Sequence, residues 1–216
     1  PRRGFVSPAE FVPFAEQAGY ITMVTNWMLE QALRAVAGWR PTHPELSIAV
    51  NVSTRDLQQK GFADRVARMI EASGVPAKRL RLEITESGLM DDPTQSVALL
   101  HALRDIGTPL SIDDFGTGYS SLAYLQKLPV SELKIDRSFI DKLDQSQGTQ
   151  KLVRDMTEMG HGLDLIVTAE GVETEAERET ITRLGCDVMQ GYLASRPLHG
   201  EKLQAWFNAV PSASST

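Results

Sequence analysis

The sequence predicts an α/β barrel of the TIM type, built from parallel strands that alternate with helices. Six short runs rich in aliphatic residues each precede a helical stretch. This order is typical of repeated βαβ units in an open doubly wound sheet or a closed barrel. Polar side chains end five of the runs, which favours the barrel because a barrel gathers its strand ends at one mouth. The predicted strands are Leu46 to Asn51, Leu80 to Thr85, Leu110 to Asp114, Leu133 to Asp136, Leu165 to Glu170 and Asp187 to Gln190.

The first two helices are predicted from capping residues and apolar spacing. Ser7 is the expected N-cap of the first helix, Pro8 its first residue and Glu10 the partner in a capping box. Gly19 ends this helix, and the second ends near Pro41. Apolar residues of the second helix recur at spacings of three and four, which predicts one buried stripe. Its members are Val24, Trp27, Met28, Ala32, Ala35, Val36 and Trp39.

Two later helices carry clear start signals. Asp92 before Pro93 predicts an N-cap, and Gly107 ends the helix that follows. Thr174 with Glu177 predicts the capping box of another helix. The expected inward residues of the earlier helix are Leu99, Leu100, Leu103 and Ile106.

Length and composition exclude several classes of protein. The 216 residues, 42% hydrophobic and 23% charged, fit one domain at 1–210 with a short tail at 211–216, and argue against disorder. Acidic residues outnumber basic ones by 28 to 22, giving a net charge of −6 that argues against a duplex nucleic acid partner. Cys186 is the only cysteine, which fits a reducing, cytoplasmic compartment. No apolar run approaches the ~20 residues that span a bilayer.

Polar side chains mark one face of the predicted sheet. In the first four strands one alternating phase is aliphatic and is expected to lie under the helices. Several carboxylates in one buried mouth are costly unless cations neutralise them, and carboxylate and amide oxygens suit Mg²⁺ or Mn²⁺. The four histidines lack ligand spacing and are read as structural or solvated. The polar phase carries Asn51, Glu83, Asp113 and Lys134, and Glu170 ends the fifth strand.

The pair Asp113-Asp114 is the most informative feature of this face. Adjacent strand residues point to opposite sides, so both serve one site only where the strand ends and turns, and Phe115 to Gly118 is the expected turn. Such a pair allows one carboxylate to bridge two cations for in-line phosphoryl displacement. The alternative is that Asp114 only caps the next helix. Lys134 either orients the metal-bound water and stabilises phosphate charge, or forms an ion pair with a neighbouring carboxylate.

Taken together, these motifs resemble the EAL-domain cyclic di-GMP phosphodiesterases over nearly the whole chain. The resemblance implies a modified (β/α)₈ barrel that hydrolyses one phosphodiester bond of cyclic di-GMP to linear pGpG, with two Mg²⁺ or Mn²⁺ ions per site. The matching runs are Asn51-Val52-Ser53, Leu82-Glu83-Ile84-Thr85-Glu86, Asp113-Asp114-Phe115-Gly116-Thr117-Gly118-Tyr119-Ser120-Ser121, Leu133-Lys134-Ile135-Asp136, Ala169-Glu170-Gly171-Val172-Glu173 and Gln190-Gly191-Tyr192.

The resemblance also implies roles for individual residues. Asp113 is the expected bridging ligand, and Glu170 is both catalytic and close to the second metal. Lys134 matches the catalytic lysine that contacts the nucleophilic water, and Gln190 lines the substrate site. Glu86, grouped with Glu173, anchors the loop after the aspartate pair and couples it to a homodimer contact. The implied metal ligands are Asn51, Glu83, Asp113, Asp114 and Glu170.

One departure from the family pattern keeps a second function open. No Glu-Ala-Leu occurs, and Pro1 to Gly4 resembles the segment just downstream of that motif. The barrel is therefore expected to lack its first strands in this chain, with sensory, receiver or cyclase domains as possible upstream neighbours. The alternative to the enzyme is a catalytically inactive cyclic di-GMP receptor. A purely structural domain is disfavoured, because nothing would offset the repulsion between its clustered carboxylates.

Overall fold

Six parallel strands form one sheet whose spatial order follows the sequence. The computed structural model describes residues 6–90, 92–118 and 122–209. The curled sheet is a partial TIM-like barrel, so the predicted fold class is confirmed. Within the described residues β1 and β6 are the two edges of the sheet. The strands are β1 (Ile48–Val52), β2 (Leu80–Thr85), β3 (Leu110–Phe115), β4 (Glu132–Ile135), β5 (Ile166–Glu170) and β6 (Val188–Gln190).

In the described part of the chain, helices and three short 3₁₀ turns precede, connect and follow the strands. The 3₁₀ turns span Ala77–Arg79, Arg137–Phe139 and Leu143–Gln145. None of the helices within the described ranges is long and apolar enough to cross a membrane. The helices are α1 (Pro8–Gln17), α2 (Ile21–Trp39), α3 (Thr54–Leu57), α4 (Phe62–Ser73), α5 (Glu86–Met90), α6 (Pro93–Ile106), α7 (Leu122–Leu125), α8 (Gln147–Gly162), α9 (Glu175–Arg183) and α10 (Gly200–Ala209).

The aliphatic phase of the strands forms the centre of the core. These side chains belong to one hydrophobic cluster with residues of α2, α4, α6 and α8. The alternation predicted from the sequence is therefore confirmed, and the polar phase faces the barrel interior. The apolar strand residues that are at most 1% exposed are Leu80, Leu82, Ile84, Leu110, Ile112, Leu133, Ile135, Val167 and Ala169.

Three helix starts test the capping predictions. The Asp92 side chain accepts a hydrogen bond from the Gln95 N–H, and Thr174 with Glu177 forms a complete capping box, so both predictions are confirmed. The capping box at Ser7 is wrong, because its side chain makes no capping hydrogen bond. The Ser7 carbonyl oxygen instead accepts from the Glu10 N–H at 2.9 Å, so that donor is already satisfied.

The buried face of α2 differs from the predicted stripe. Trp27 is 58% exposed and Met28 43% exposed, although both were expected inside. Ala32 and Val36 are buried as predicted. The helix is apolar on more than one side, so its spacing fits two faces and the predicted stripe overlaps the buried face only in part. The buried residues of α2 are Ile21, Thr25, Leu29, Ala32, Leu33 and Val36. The segment Pro1 to Gly4 and the predicted tail 211–216 lie outside the described residues.

Candidate metal and catalytic site

The strand register brings the polar side chains to the same end of the sheet. Asn51 of β1 pairs with Glu83 of β2, and Glu170 of β5 pairs with Gln190 of β6. Asn51 and Gln190 are exposed, whereas Glu83 is buried. Strands from across the whole sheet therefore contribute to one mouth, where barrel enzymes keep their catalytic groups.

Lys134 lies at the centre of this mouth and is only 2% exposed. Its Nζ atom is 2.7 Å from Glu83 Oε1, 3.0 Å from Asp113 Oδ1 and 2.6 Å from Glu170 Oε1. An ammonium group has three N–H donors, so each donor has a carboxylate acceptor. The ion pair that the sequence offers as an alternative role for Lys134 is thus present, with one carboxylate partner on each of strands β2, β3 and β5.

A β-bulge places both aspartates of the pair on the mouth. The β3–β4 register shifts by one residue between Ile112 and Phe115, and Asp114 has a positive φ of 55°. Such a bulge redirects side chains, and Asp is among the residues that tolerate this conformation. The strand continues through Phe115, and the expected turn follows it from Gly116. The two aspartates therefore face one site because of an irregularity within the strand, before the turn.

Three carboxylates lie close enough together to hold a cation. Oxygen atoms of Asp113, Asp114 and Glu170 are all within 4.8 Å of one another. Glu83 shares Lys134 with two of them, and Asn51 lies beside Glu83 in the register. An all-oxygen set of this kind fits a hard divalent cation such as Mg²⁺ or Mn²⁺ rather than zinc or copper.

The protonation equilibria of the site reflect an excess of buried negative charge. Burial raises the pKa of Glu170 to about 7, even though its hydrogen bond with Lys134 opposes the shift. Burial likewise raises the pKa of Glu83. The pKa of Asp114 is raised by burial first and then by the neighbouring Asp113 charge. Burial alone would lower the pKa of Lys134, but the surrounding carboxylates raise it above its ordinary value. One lysine does not balance these acids, and a divalent cation would.

Glu86 fixes the loop that follows the aspartate pair. It is 2% exposed, and its Oε2 atom accepts hydrogen bonds from the N–H groups of Gly116 at 3.0 Å and Gly118 at 3.1 Å. A Cβ atom on Gly118 would lie 2.9 Å from Glu86 Cδ, so this close approach requires glycine. Glu86 therefore contacts the loop to which the resemblance assigned it.

Glu173 lies beside the same mouth without reaching the carboxylate cluster. Its Oε1 atom forms an ion pair with Arg137 Nη2 at 2.8 Å, and its N–H donates to Glu177 Oε2 at 2.9 Å. The stem of Arg137 packs so tightly on Gly171 that a Cβ there would lie 2.3 Å from Arg137 Cγ. Glu173 thus joins the segments that follow β4 and β5.

Asp136 is a further acidic residue at the mouth that the sequence prediction left without a role. Its charge raises the pKa of Asp114, after burial and the charge of Asp113. It also accepts a hydrogen bond from the Ser138 N–H at 3.0 Å. The signal was available, because Asp136 directly follows a strand whose neighbours carry their polar groups at the same end.

A cleft of about 710 Å³ opens from the mouth along the barrel interior. Glu83, Lys134 and Gln190 line it together with Tyr192 and Arg196. The Arg196 guanidinium stacks 4.8 Å from the centre of the Tyr192 ring. Gln190 therefore shares one accessible cleft with the central lysine.

A partial parallel barrel with an acidic, lysine-centred mouth defines a class of α/β barrel proteins with a candidate divalent-metal site. The family model of the EAL domain matches residues 1–197. The chain therefore belongs to the EAL domain family.

Known relatives and solved structures agree with this assignment. The chain is 42% identical over 206 residues to the bifunctional diguanylate cyclase/cyclic di-GMP phosphodiesterase MucR of Pseudomonas aeruginosa, covering 95% of this chain and 30% of that protein. It is 40% identical to the cyclic di-GMP phosphodiesterase NbdA of the same organism, covering 97% of this chain and 27% of that protein. The solved MucR phosphodiesterase in complex with cyclic di-GMP superposes with a TM-score of 0.90 at 42% identity, covering 94% of this chain and 83% of that one. The chain thus spans less than a third of the length of these curated relatives.

Proposed function

We propose that this chain is the phosphodiesterase domain of a cyclic di-GMP signalling protein, hydrolysing cyclic di-GMP to linear pGpG with Mg²⁺ or Mn²⁺. The observation that carries the proposal is the contact of Lys134 with Glu83, Asp113 and Glu170. Asp113 and Glu170, together with Asp114, also provide the oxygen atoms of the candidate metal site. Relatives named as cyclic di-GMP phosphodiesterases support the substrate.

The residues that would hold the metal ions are those of the carboxylate cluster. The ions would be held by Asn51, Glu83, Asp113, Asp114 and Glu170. Divalent ions at this position supply Lewis-acid polarisation of a phosphoryl oxygen and neutralise developing negative charge. The positive φ of Asp114 supports a shared site, since it allows adjacent carboxylates to face one mouth.

The protein groups would divide the remaining work among themselves. The Lys134 ammonium would donate a hydrogen bond to the attacking water and stabilise phosphate charge once the metal ions take over one of its three carboxylate acceptors. Glu170 would act through its contact with Lys134 and as a ligand close to the second metal ion. Gln190 and Tyr192 in the cleft would bind the nucleotide. The anchored Gly116 to Gly118 loop would keep Asp113 and Asp114 in place.

Association and cellular context are part of the same proposal. Glu86 and Glu173 would couple loop geometry to a homodimer contact, and further sensory, receiver or cyclase domains would regulate the site. The curated relatives are much longer than this chain, which supports further domains. A cytoplasmic location is supported by Cys186 as the only cysteine of the sequence.

The test is hydrolysis of cyclic di-GMP, followed by separation of pGpG, with Mg²⁺, Mn²⁺ or a chelator. The chain is compared with a version extended upstream, and nucleotide binding is followed in the same samples. Metal-dependent release of pGpG by either version supports the proposal. Nucleotide binding without hydrolysis by both versions would make the domain a cyclic di-GMP receptor instead.

A further inference from the structure

A second layer of polar side chains lies inside the barrel, two residues earlier on each strand than the layer that forms the site. Interior layers of such barrels are dominated by branched aliphatic side chains. Here the inward positions below the mouth carry Arg81, Ser111, Glu132 and Thr168. Glu132 is 5% exposed and Thr168 2% exposed. Charged and polar groups are rarely placed in such a layer unless each has a partner.

Glu132 connects three strands through its two carboxylate oxygens. Oε2 accepts a hydrogen bond from Arg81 Nη1 on β2, and Oε1 accepts one from the Thr168 hydroxyl on β5. The contact with Arg81 reaches across β3, where Ser111 pairs in register with Glu132. The small serine side chain leaves room for this reach, so the carboxylate joins β2, β4 and β5 inside the barrel.

Each member of this network precedes a member of the site by two residues on its strand. Arg81 precedes Glu83, Glu132 precedes Lys134, and Thr168 precedes Glu170. Residues two apart on a strand point to the same face. The network therefore joins β2, β4 and β5. The next inward side chains on these strands are Glu83, Lys134 and Glu170.

Stability alone does not account for a charged network here. A buried ion pair contributes little net stability, because its desolvation cost offsets the attraction, and apolar replacements are often neutral or stabilising. What Glu132 provides is geometry, since its hydrogen bonds hold β2 and β5 at a defined separation from β4.

We propose that Glu132 is a positioning residue, which through Arg81 and Thr168 sets the spacing of Glu83 and Glu170 around Lys134 and so prepares the carboxylates for divalent metal. The effect on metal binding stands by itself, whereas the effect on turnover rests on the proposed function. Residues that orient metal ligands typically change metal affinity or activity by about 10–100-fold when altered.

The test uses a pair of matched variants at Thr168. Thr168→Val keeps the shape of the side chain but removes the hydroxyl donor, and Thr168→Ser restores the donor. Mn²⁺ affinity is measured by electron paramagnetic resonance, together with kcat and KM for cyclic di-GMP. We expect Thr168→Val to weaken Mn²⁺ binding by about 10-fold and to lower kcat more than it raises KM, and Thr168→Ser to recover both. Glu132→Gln is expected to act in the same direction and more strongly.

Asp187→Asn provides the control for simple loss of stability. Asp187 lies at the opposite end of the strands and accepts a hydrogen bond from the Val167 N–H at 2.7 Å. The proposal is overturned if Thr168→Val is destabilised like this control yet binds Mn²⁺ as the unsubstituted chain does. It is also overturned if the unsubstituted chain binds no Mn²⁺. If the variants change Mn²⁺ affinity as expected but the unsubstituted chain does not hydrolyse cyclic di-GMP, the proposed phosphodiesterase function is overturned. Glu132 then remains a positioning residue for metal.

Discussion

The Nζ atom of Lys134 lies 2.6 Å from Oε1 of Glu170, across the neighbouring strands β4 and β5. Both side chains belong to the inward phase, and the same Nζ atom also contacts Glu83 and Asp113. A single buried cation therefore holds carboxylates from three strands. This arrangement makes the site sensitive to small changes in either charge or strand position.

Asp113→Asn is expected to abolish hydrolysis of cyclic di-GMP while the chain stays folded. The amide oxygen remains an acceptor for Lys134, but the site loses a charged ligand. In the unsubstituted chain, Mn²⁺ at 100 times its Kd should add about 2.7 kcal/mol of stability. That corresponds to a Tm increase of about 5–10 °C, which the variant should lack. Asp105→Asn, on the exposed surface of α6, should behave as the unsubstituted chain. Unchanged turnover in Asp113→Asn would contradict the assigned site.

Lys134→Met is expected to lower kcat more than it lowers metal affinity. Without the ammonium, three buried carboxylates lose their shared partner, and breaking a buried ion pair typically costs about 3–5 kcal/mol. Urea unfolding in a chelator should show that loss, and saturating Mn²⁺ should recover part of it. A variant that loses metal affinity but keeps its kcat would assign Lys134 to metal binding alone.

Glu86→Ala is expected to reduce turnover without unfolding the chain. The N–H groups of Gly116 and Gly118 lose their common acceptor, so the loop after the aspartate pair shifts. A misplacement of about 1 Å in a catalytic group costs on the order of 100-fold in rate. Steady-state kinetics measure the effect, and Glu71→Ala on the exposed face of α4 is the control. Equal turnover of the two variants would exclude a role for this anchor.

Glu177→Gln is expected to make the free energy of unfolding depend less on pH in the acid range. Burial raises the pKa of Glu177, but hydrogen bonds from the N–H groups of Glu173, Thr174 and Lys142 outweigh burial and lower it. A carboxylate with a lowered pKa adds stability above its unfolded pKa, and that contribution is lost as the pH falls through the folded value. The variant should lose about 1 kcal/mol at neutral pH, as other capping residues do. Urea unfolding between pH 7 and pH 3 compares the slopes, and parallel profiles would contradict the prediction.

The strands and the inward residues were predictable because both follow from local alternation. A regular exchange of aliphatic and polar residues decides which side of a parallel strand faces the helices. Leu82 and Ile84 therefore identified the core face, and Glu83 between them identified the interior. The face of α2 was not predictable in this way, because apolar residues such as Trp27 and Leu29 lie on more than one side of the helix.

Contacts between residues on different strands could not be predicted from the sequence. The bulge at Asp114 is visible only when β3 is paired with β4, since it is a shift in their register. The contact of Arg81 with Glu132 spans 51 positions in sequence and crosses an intervening strand. Neither residue differs by itself from a charged residue on a solvated strand.

The bulge in β3 allows one barrel strand to present two acidic residues at the mouth. With Asp114 removed, Ile112, Asp113 and Phe115 would follow the ordinary alternation, and Phe115 would remain opposite Ile135. Asp114 thus behaves as a single-residue insertion that changes the number of carboxylates at the mouth but leaves the core contacts downstream unchanged. A one-codon deletion would convert a two-acid strand into a one-acid strand within the same fold, so the number of metal ligands can vary independently of the barrel that holds them.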